Sequence, residues 1–204
     1  MEKTIKYLKK KGSVLVIFTP QFYDIFLSRR REWLADKFSK GESRICYLKM
    51  LKKITLKQAL LRDVFSFRTD IAKYTDKIFG ACVFYFLKNN RFLSTSLNGS
   101  GIFYTDVTLY ELLIFELLYS GFKNGYCKIE FEFCNGFVIL RTFPCQLSKA
   151  AIKLTSKLKG IIIHKENSVW VKIPNLSKTD YNAPKRNETD RINDPFSPIN
   201  YYFV

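Results

Sequence analysis

The chain holds one histidine, His164, in a segment whose alternation predicts a strand. One imidazole with no Gly-x-Ser-x-Gly elbow gives no serine triad, and neither a Walker loop nor a His-Glu-x-x-His pair occurs. Cys-His catalysis would need His164 beside one of five cysteines, Cys46, Cys82, Cys127, Cys134 and Cys145, which spacing alone does not arrange. None of the five forms a C-x-x-C pair, so the clustered thiolates of a zinc site are missing. They read as thiols in a reducing compartment. Asp63, Asp70 and Asp76 recur at about helical turns and read as a solvated face before a metal or acid-base row. His164 reads as a structural or surface residue.

Charge is the other chemical resource. The formal net charge is +16, and residues 1–62 hold 16 Lys/Arg against 5 Asp/Glu, while the remainder holds 18 against 13. Candidate anion-binding groups are Lys9, Lys10, Lys11, Arg29, Arg30, Arg31, Lys52 and Lys53. No recognition-helix, zinc-finger or RNA-recognition pattern accompanies them, so nucleic-acid binding here would be non-specific and salt-sensitive. A compositional bias toward lysine, 24 Lys against 10 Arg, accounts for the same excess.

The elements that must position these groups follow from periodicity. Hydrophobic residues make up 47% of the chain, enough for a core. Val14–Leu27 contains Pro20, Gln21 and Asp24 and is too short to span a bilayer. With Lys9–Lys11 before it, this run imitates a secretory signal, but no small-residue cleavage site follows. A cytoplasmic protein without a membrane span is expected.

Residues 3–38 predict helix interrupted at Pro20, and Ile45–Leu61 a second helix with Ile45, Leu48, Leu51, Ile54, Leu56, Leu60 and Leu61 inward. Together they predict a hairpin. Asp63–Leu87 reads as a third helix with Phe67, Ile71, Tyr74, Ile78, Cys82 and Phe86 on one stripe. A strand at 91–97 and a turn at Asn98–Gly101 follow, then a helix from Val107 to Phe122 capped by Thr105 or Asp106. Cys127–Phe133 alternates strictly, and Asn135-Gly136 signals a hairpin into Phe137–Phe143. Ser148 opens a helix that Gly160 ends, and Ile161–His164 and Val169–Ile173 make the last strand pair. From Asn175 the chain is polar and Pro-rich, a mobile tail whose Tyr201–Val204 end is apolar enough to dock.

This order across 65–174 resembles the ATPase domain of sensor histidine kinases, in three places especially. Leu109–Lys123 (LYELLIFELLYSGFK) is similar in apolar spacing to the helix bearing that family's N box. Ile129–Phe133, Asn135-Gly136 and Val138–Leu140 are similar to the hairpin after it. Leu154–Pro174 (LTSKLKGIIIHKENSVWVKIP) resembles the closing helix-strand-strand unit. Ser66–Lys77 also looks like the linker helix entering such domains. The resemblance implies an α+β fold, a two-layer α/β sandwich at 63–174, preceded by a basic helical hairpin at 1–62 and followed by a tail at 175–204.

It also implies where ATP chemistry would sit. The N-box asparagine places, which bind Mg²⁺ through oxygen, fall on Glu116 and Ser120. Glu116 keeps an oxygen ligand, whereas Ser120 is too short to replace asparagine. The adenine-binding aspartate-glycine turn falls near Phe143-Pro144-Cys145, and the glycine-rich lid is reduced to Gln146-Leu147. A phosphoacceptor histidine is absent, with Leu15 at the place implied by Thr19-Pro20. The expectation is a non-catalytic, kinase-like signalling or scaffold protein without cofactor or metal, binding another protein or itself through its N-terminal helices. The alternative is a non-specific nucleic-acid-binding protein using the basic N-terminal region.

Overall fold

The computed structural model describes residues 44–143, 146–176 and 202–203. The chain divides into two units, Met1–Ser43 and Arg44–Val204, and every described residue belongs to the second. The helix read over 3–38, and with it Lys9–Lys11 and Arg29–Arg31, lies outside the described residues.

The described elements are α1 (Arg44–Leu61), β1 (Phe67–Asp70), α2 (Ile71–Lys88), β2 (Phe92–Asn98), β3 (Ile102–Thr105), α3 (Val107–Asn124), β4 (Tyr126–Cys134), β5 (Phe137–Phe143), α4 (Lys149–Lys157), β6 (Ile161–Lys165) and β7 (Ser168–Pro174). Five strands form one mixed sheet in the order β2-β4-β5-β7-β6, with β2 parallel to β4 and the other neighbours antiparallel. One face carries Leu93, Cys127, Ile129, Phe131, Val138, Leu140, Val169, Val171 and Ile173, all buried. α2, α3 and α4 contribute buried residues to the same core cluster.

Local chemistry explains most of these pieces. β4 alternates as its sequence does, with Ile129 and Phe131 buried and Lys128, Glu130 and Glu132 half-buried on the other side. Asn135 and Gly136 turn the chain into β5 with φ of 50° and 76°, the left-handed pair a two-residue hairpin requires. On the outer face Arg141 bridges Glu130 and Glu132 and lies over the Trp170 ring at 4.5 Å. α3 is buried almost all round, so its leucines meet core on every side.

Four readings are corrected. The third helix begins at Ile71, not Asp63, because Phe67–Asp70 is a strand whose end residue caps α2: the Asp70 carboxylate accepts from the Lys73 amide at 3.2 Å. The linker-helix likeness of Ser66–Lys77 fails for the same reason. The second correction is β3, a strand where none was read. It pairs antiparallel with β1 as a separate two-stranded sheet, Phe67 opposite Thr105 and Asp70 opposite Ile102. Gly99, at φ 79°, lets the preceding turn cross β4, since a Cβ there would lie 2.4 Å from the Phe133 carbonyl oxygen.

Third, Leu61 is not inward but 75% exposed, because α1 ends there and its last turn is held by polar groups. Fourth, α4 ends through Leu158 and Lys159, which takes the left-handed φ of 55°. Gly160 serves close approach instead: its Cβ would sit 2.9 Å from the Lys172 carbonyl oxygen of β7.

Candidate functional site

Glu116 and Ser120 lie one turn apart on α3, with Ser148 at the start of α4 and Lys52 of α1 beside Glu116. Glu116 is 4% exposed, and three groups converge on its carboxylate. The Ser148 hydroxyl donates to Oε2, the Tyr202 hydroxyl donates to Oε1 at 2.5 Å, and the Lys52 ammonium lies 3.4 Å from Oε1. Burying a carboxylate demands such partners, because an isolated ionised group loses its hydration. Ser148 also caps α4, accepting from the Ala151 amide at 2.9 Å, so the helix start and the carboxylate share one hydroxyl.

Lys52 is enclosed from two further sides, 3.3 Å from the Tyr119 ring centre and 4.2 Å from that of Tyr202. Burial pushes its ammonium below the ordinary lysine range, and the Glu116 charge partly offsets that push. Ser120 is engaged too: its hydroxyl accepts from the Gln146 amide at 3.2 Å, which ties Gln146 to α3. Phe203 completes the filling. It is 2% exposed, among Tyr85, Phe86, Phe115 and Phe122, with ring centres 5.7, 5.6, 5.7 and 5.1 Å away.

The structure therefore brings Glu116, Ser120 and Lys52 together. Phe143 is elsewhere, at the end of β5 on the outer sheet face with the Lys128 ammonium 5.6 Å from its ring centre. Pro144 and Cys145 lie outside the described residues. Lys53 is exposed on α1 beside Lys49 and Lys57, at four-residue spacing. His164 is exposed on β6, an edge strand of the sheet. Cys82, Cys127 and Cys134 carry thiols, and burial pushes that of Cys82 well above the usual range. Among the described residues no group of three or more His, Cys, Asp or Glu side chains is arranged to hold a metal.

Sequence reasoning missed Tyr119, Ser148 and the closing of Tyr202 onto Glu116. The apolar Tyr201–Val204 end signalled docking but not its destination.

A second polar centre positions the site from below. Asp106 is fully buried and accepts from Arg62 at 2.6 Å on each oxygen, from the Phe65 amide at 2.9 Å, and from the Thr108 and Leu109 amides at 3.1 Å each. It is at once the cap of α3 and the anchor for the end of α1. The Lys157 ammonium donates to the carbonyls of Ala59 and Arg62, so α4 holds the same end.

No family model and no curated protein sequence matches the chain. Solved structures do match. Full-length ShkA in complex with AMPPNP aligns over 67% of this chain and 38% of that one, with a TM-score of 0.50 and 10% identity. Histidine kinase AdeS of Acinetobacter baumannii aligns over 86% and 95%, at 0.46 and 16%. The cytoplasmic segment of histidine kinase QseC aligns over 67% and 97%, at 0.45 and 13%. The strand order and the ShkA alignment give the fold: an α/β sandwich of the histidine-kinase ATPase type.

Proposed function

We propose that this chain is a non-catalytic, kinase-like signalling protein that works by binding another protein. One observation carries the reading: the Glu116 carboxylate, at the place where the resemblance puts a Mg²⁺ ligand, is occupied by Ser148, Tyr202 and Lys52. Mg²⁺ requires near-octahedral oxygen coordination and keeps several of its waters. An ammonium and an aromatic ring at the same carboxylate leave it neither the charge nor the room. The exposed His164 on β6 offers no substitute for a phosphoacceptor on a helical hairpin. A cytoplasmic setting belongs to the same proposal; no described helix is long and apolar enough to cross a membrane.

Isothermal titration with Mg-ATP is expected to give no micromolar binding, for the full chain and for Tyr202→Phe alike. A dissociation constant near or below about 100 μM would overturn the non-catalytic reading. Sedimentation equilibrium tests self-association through the N-terminal helices, and a monomer independent of concentration would leave only a foreign partner.

A second reading has its own observation. α1 carries no acidic residue, and its exposed Lys49, Lys53 and Lys57 repeat at one-turn spacing. Like charges so placed cost a helix about 0.2–0.5 kcal/mol per pair. An anionic partner would offset that cost. Binding to duplex DNA through this stripe is expected to fall by about a thousandfold or more between roughly 50 and 200 mM salt. Lys49→Gln, Lys53→Gln and Lys57→Gln together should flatten that salt slope by about three units. An unchanged slope removes the stripe from the reading.

A further inference from the structure

We infer that the outer face of the five-stranded sheet is a binding platform for single-stranded nucleic acid. The inference rests on neither Glu116 nor the α1 lysines.

The strand register places the residues. The core lies against the opposite face, and on the outer one the side chains are exposed or half-buried, Ser168 excepted. Phe92 of β2 stands opposite Tyr126 of β4. Lys128, two residues on from Tyr126, stands opposite Phe143 of β5. Arg141, two residues before Phe143, stands opposite Trp170 of β7. Alternation keeps all of these on one face, so Phe92, Tyr126, Phe143 and Trp170 step diagonally across four neighbouring strands. Diagonal neighbours on such a face are about 7–8 Å apart.

These rings are of the kind that bases stack on, and cations accompany them. Phe92 is 57% and Tyr126 46% exposed, and their rings lie parallel, 5.9 Å between centres at 5°. The Lys128 ammonium is 5.6 Å from the Phe143 ring centre. The Arg141 guanidinium lies 4.5 Å from the Trp170 ring centre, and the ammonium of the exposed Lys165 on β6 lies 5.7 Å from it. Splayed bases stack on aromatic rings and on guanidinium planes alike, while neighbouring cations meet the phosphates.

Charge and shape select the occupant. The strand residues of this face hold Lys128, Arg141, Lys165 and Lys172 against Glu130 and Glu132. Both carboxylates are already engaged, Glu130 by Lys128 at 2.7 Å and Arg141 at 3.9 Å, and Glu132 by Arg141. A further acid, Glu166, stands exposed in the β6–β7 turn. The face therefore keeps a cationic excess beside its rings, which suits a phosphate backbone. An acidic peptide shares that charge but brings no row of planar groups to four aromatic side chains. A duplex keeps its bases stacked inside and offers such rings nothing.

Trp33 and Trp170 are the two tryptophans, so Trp33→Phe leaves Trp170 as the sole indole reporter. In that full-length background, oligothymidylate of about 20 nucleotides is expected to quench the indole emission, and the same strand paired with oligodeoxyadenylate to quench it far less. Phe92→Ala/Tyr126→Ala, at exposed positions, should weaken single-strand binding by on the order of tenfold with unchanged far-ultraviolet circular dichroism. Lys165→Gln should flatten the salt slope by about 0.7 unit. Lys49→Gln/Lys53→Gln/Lys57→Gln should leave the quenching in place. Each of these outcomes overturns the proposal: no binding, binding without quenching, equal quenching by the duplex, or affinity unmoved by Phe92→Ala/Tyr126→Ala. Quenching by poly-glutamate and not by the oligonucleotide would assign the face to an acidic protein instead.

Discussion

Replacing Asp106 by alanine is expected to lower the unfolding free energy by about 3–5 kcal/mol, read from urea titration followed by circular dichroism. Asp106 is fully buried and its two oxygens accept five hydrogen bonds, two of them from the Arg62 guanidinium. Losing the cap alone costs about 1 kcal/mol, since the Thr108 and Leu109 amides lose their acceptor. The larger share comes from Arg62, 11% exposed, whose charge would be left without its partner carboxylate. Lys157 makes that worse, because its ammonium already lies near the same end of α1 and burial pushes it below the ordinary lysine range. Asp106→Asn keeps one acceptor for the cap but not the charge, and should cost less than alanine. A loss under about 1 kcal/mol for Asp106→Ala would mean that α1 is not anchored on α3 as described.

The parts of the fold that were legible in the sequence are those whose signal is local. The β4 alternation, the Asn135-Gly136 turn and the α3 leucines each follow from neighbours within a few residues. β1 was illegible for a specific reason. Phe67 stands four residues before Ile71, so the helical stripe of α2 continues by coincidence into a strand, and only the Asp70 cap marks the boundary. β3 is four residues long and its strand partner among the described residues, β1, is equally short, leaving little periodicity to read. At the site, Glu116 and Ser120 were found because a family resemblance placed them. The partners of Glu116 were not, because no spacing rule connects residues 86 positions apart such as Glu116 and Tyr202. Lys52 was read as an anion-binding surface group because its sequence neighbours are basic, and a buried carboxylate cannot be seen from them.

Phe203→Ala is expected to cost about 3–5 kcal/mol, and Tyr202→Phe about 1.5–3 kcal/mol. The first removes a ring that is 2% exposed among four other aromatic side chains, leaving a cavity their packing cannot readily close. The second removes one hydroxyl that donates to a buried carboxylate while keeping the ring beside Lys52. The hydroxyl's effect should depend on its acceptor. In a double-mutant cycle, Tyr202→Phe placed on Glu116→Gln should cost markedly less than on the parent, since the amide is a weaker acceptor than the carboxylate. For a domain held by about 5–15 kcal/mol, losses of this size make Tyr202 and Phe203 part of the fold. They also decide the chemistry of the site. With Tyr202 and Phe203 seated, the Glu116 carboxylate is engaged by Ser148, Tyr202 and Lys52, the observation on which the proposed non-catalytic reading rests. If both substitutions left the unfolding curve unchanged, the C-terminal residues would not be seated, Glu116 would stand open, and the case against ATP binding would lose its support.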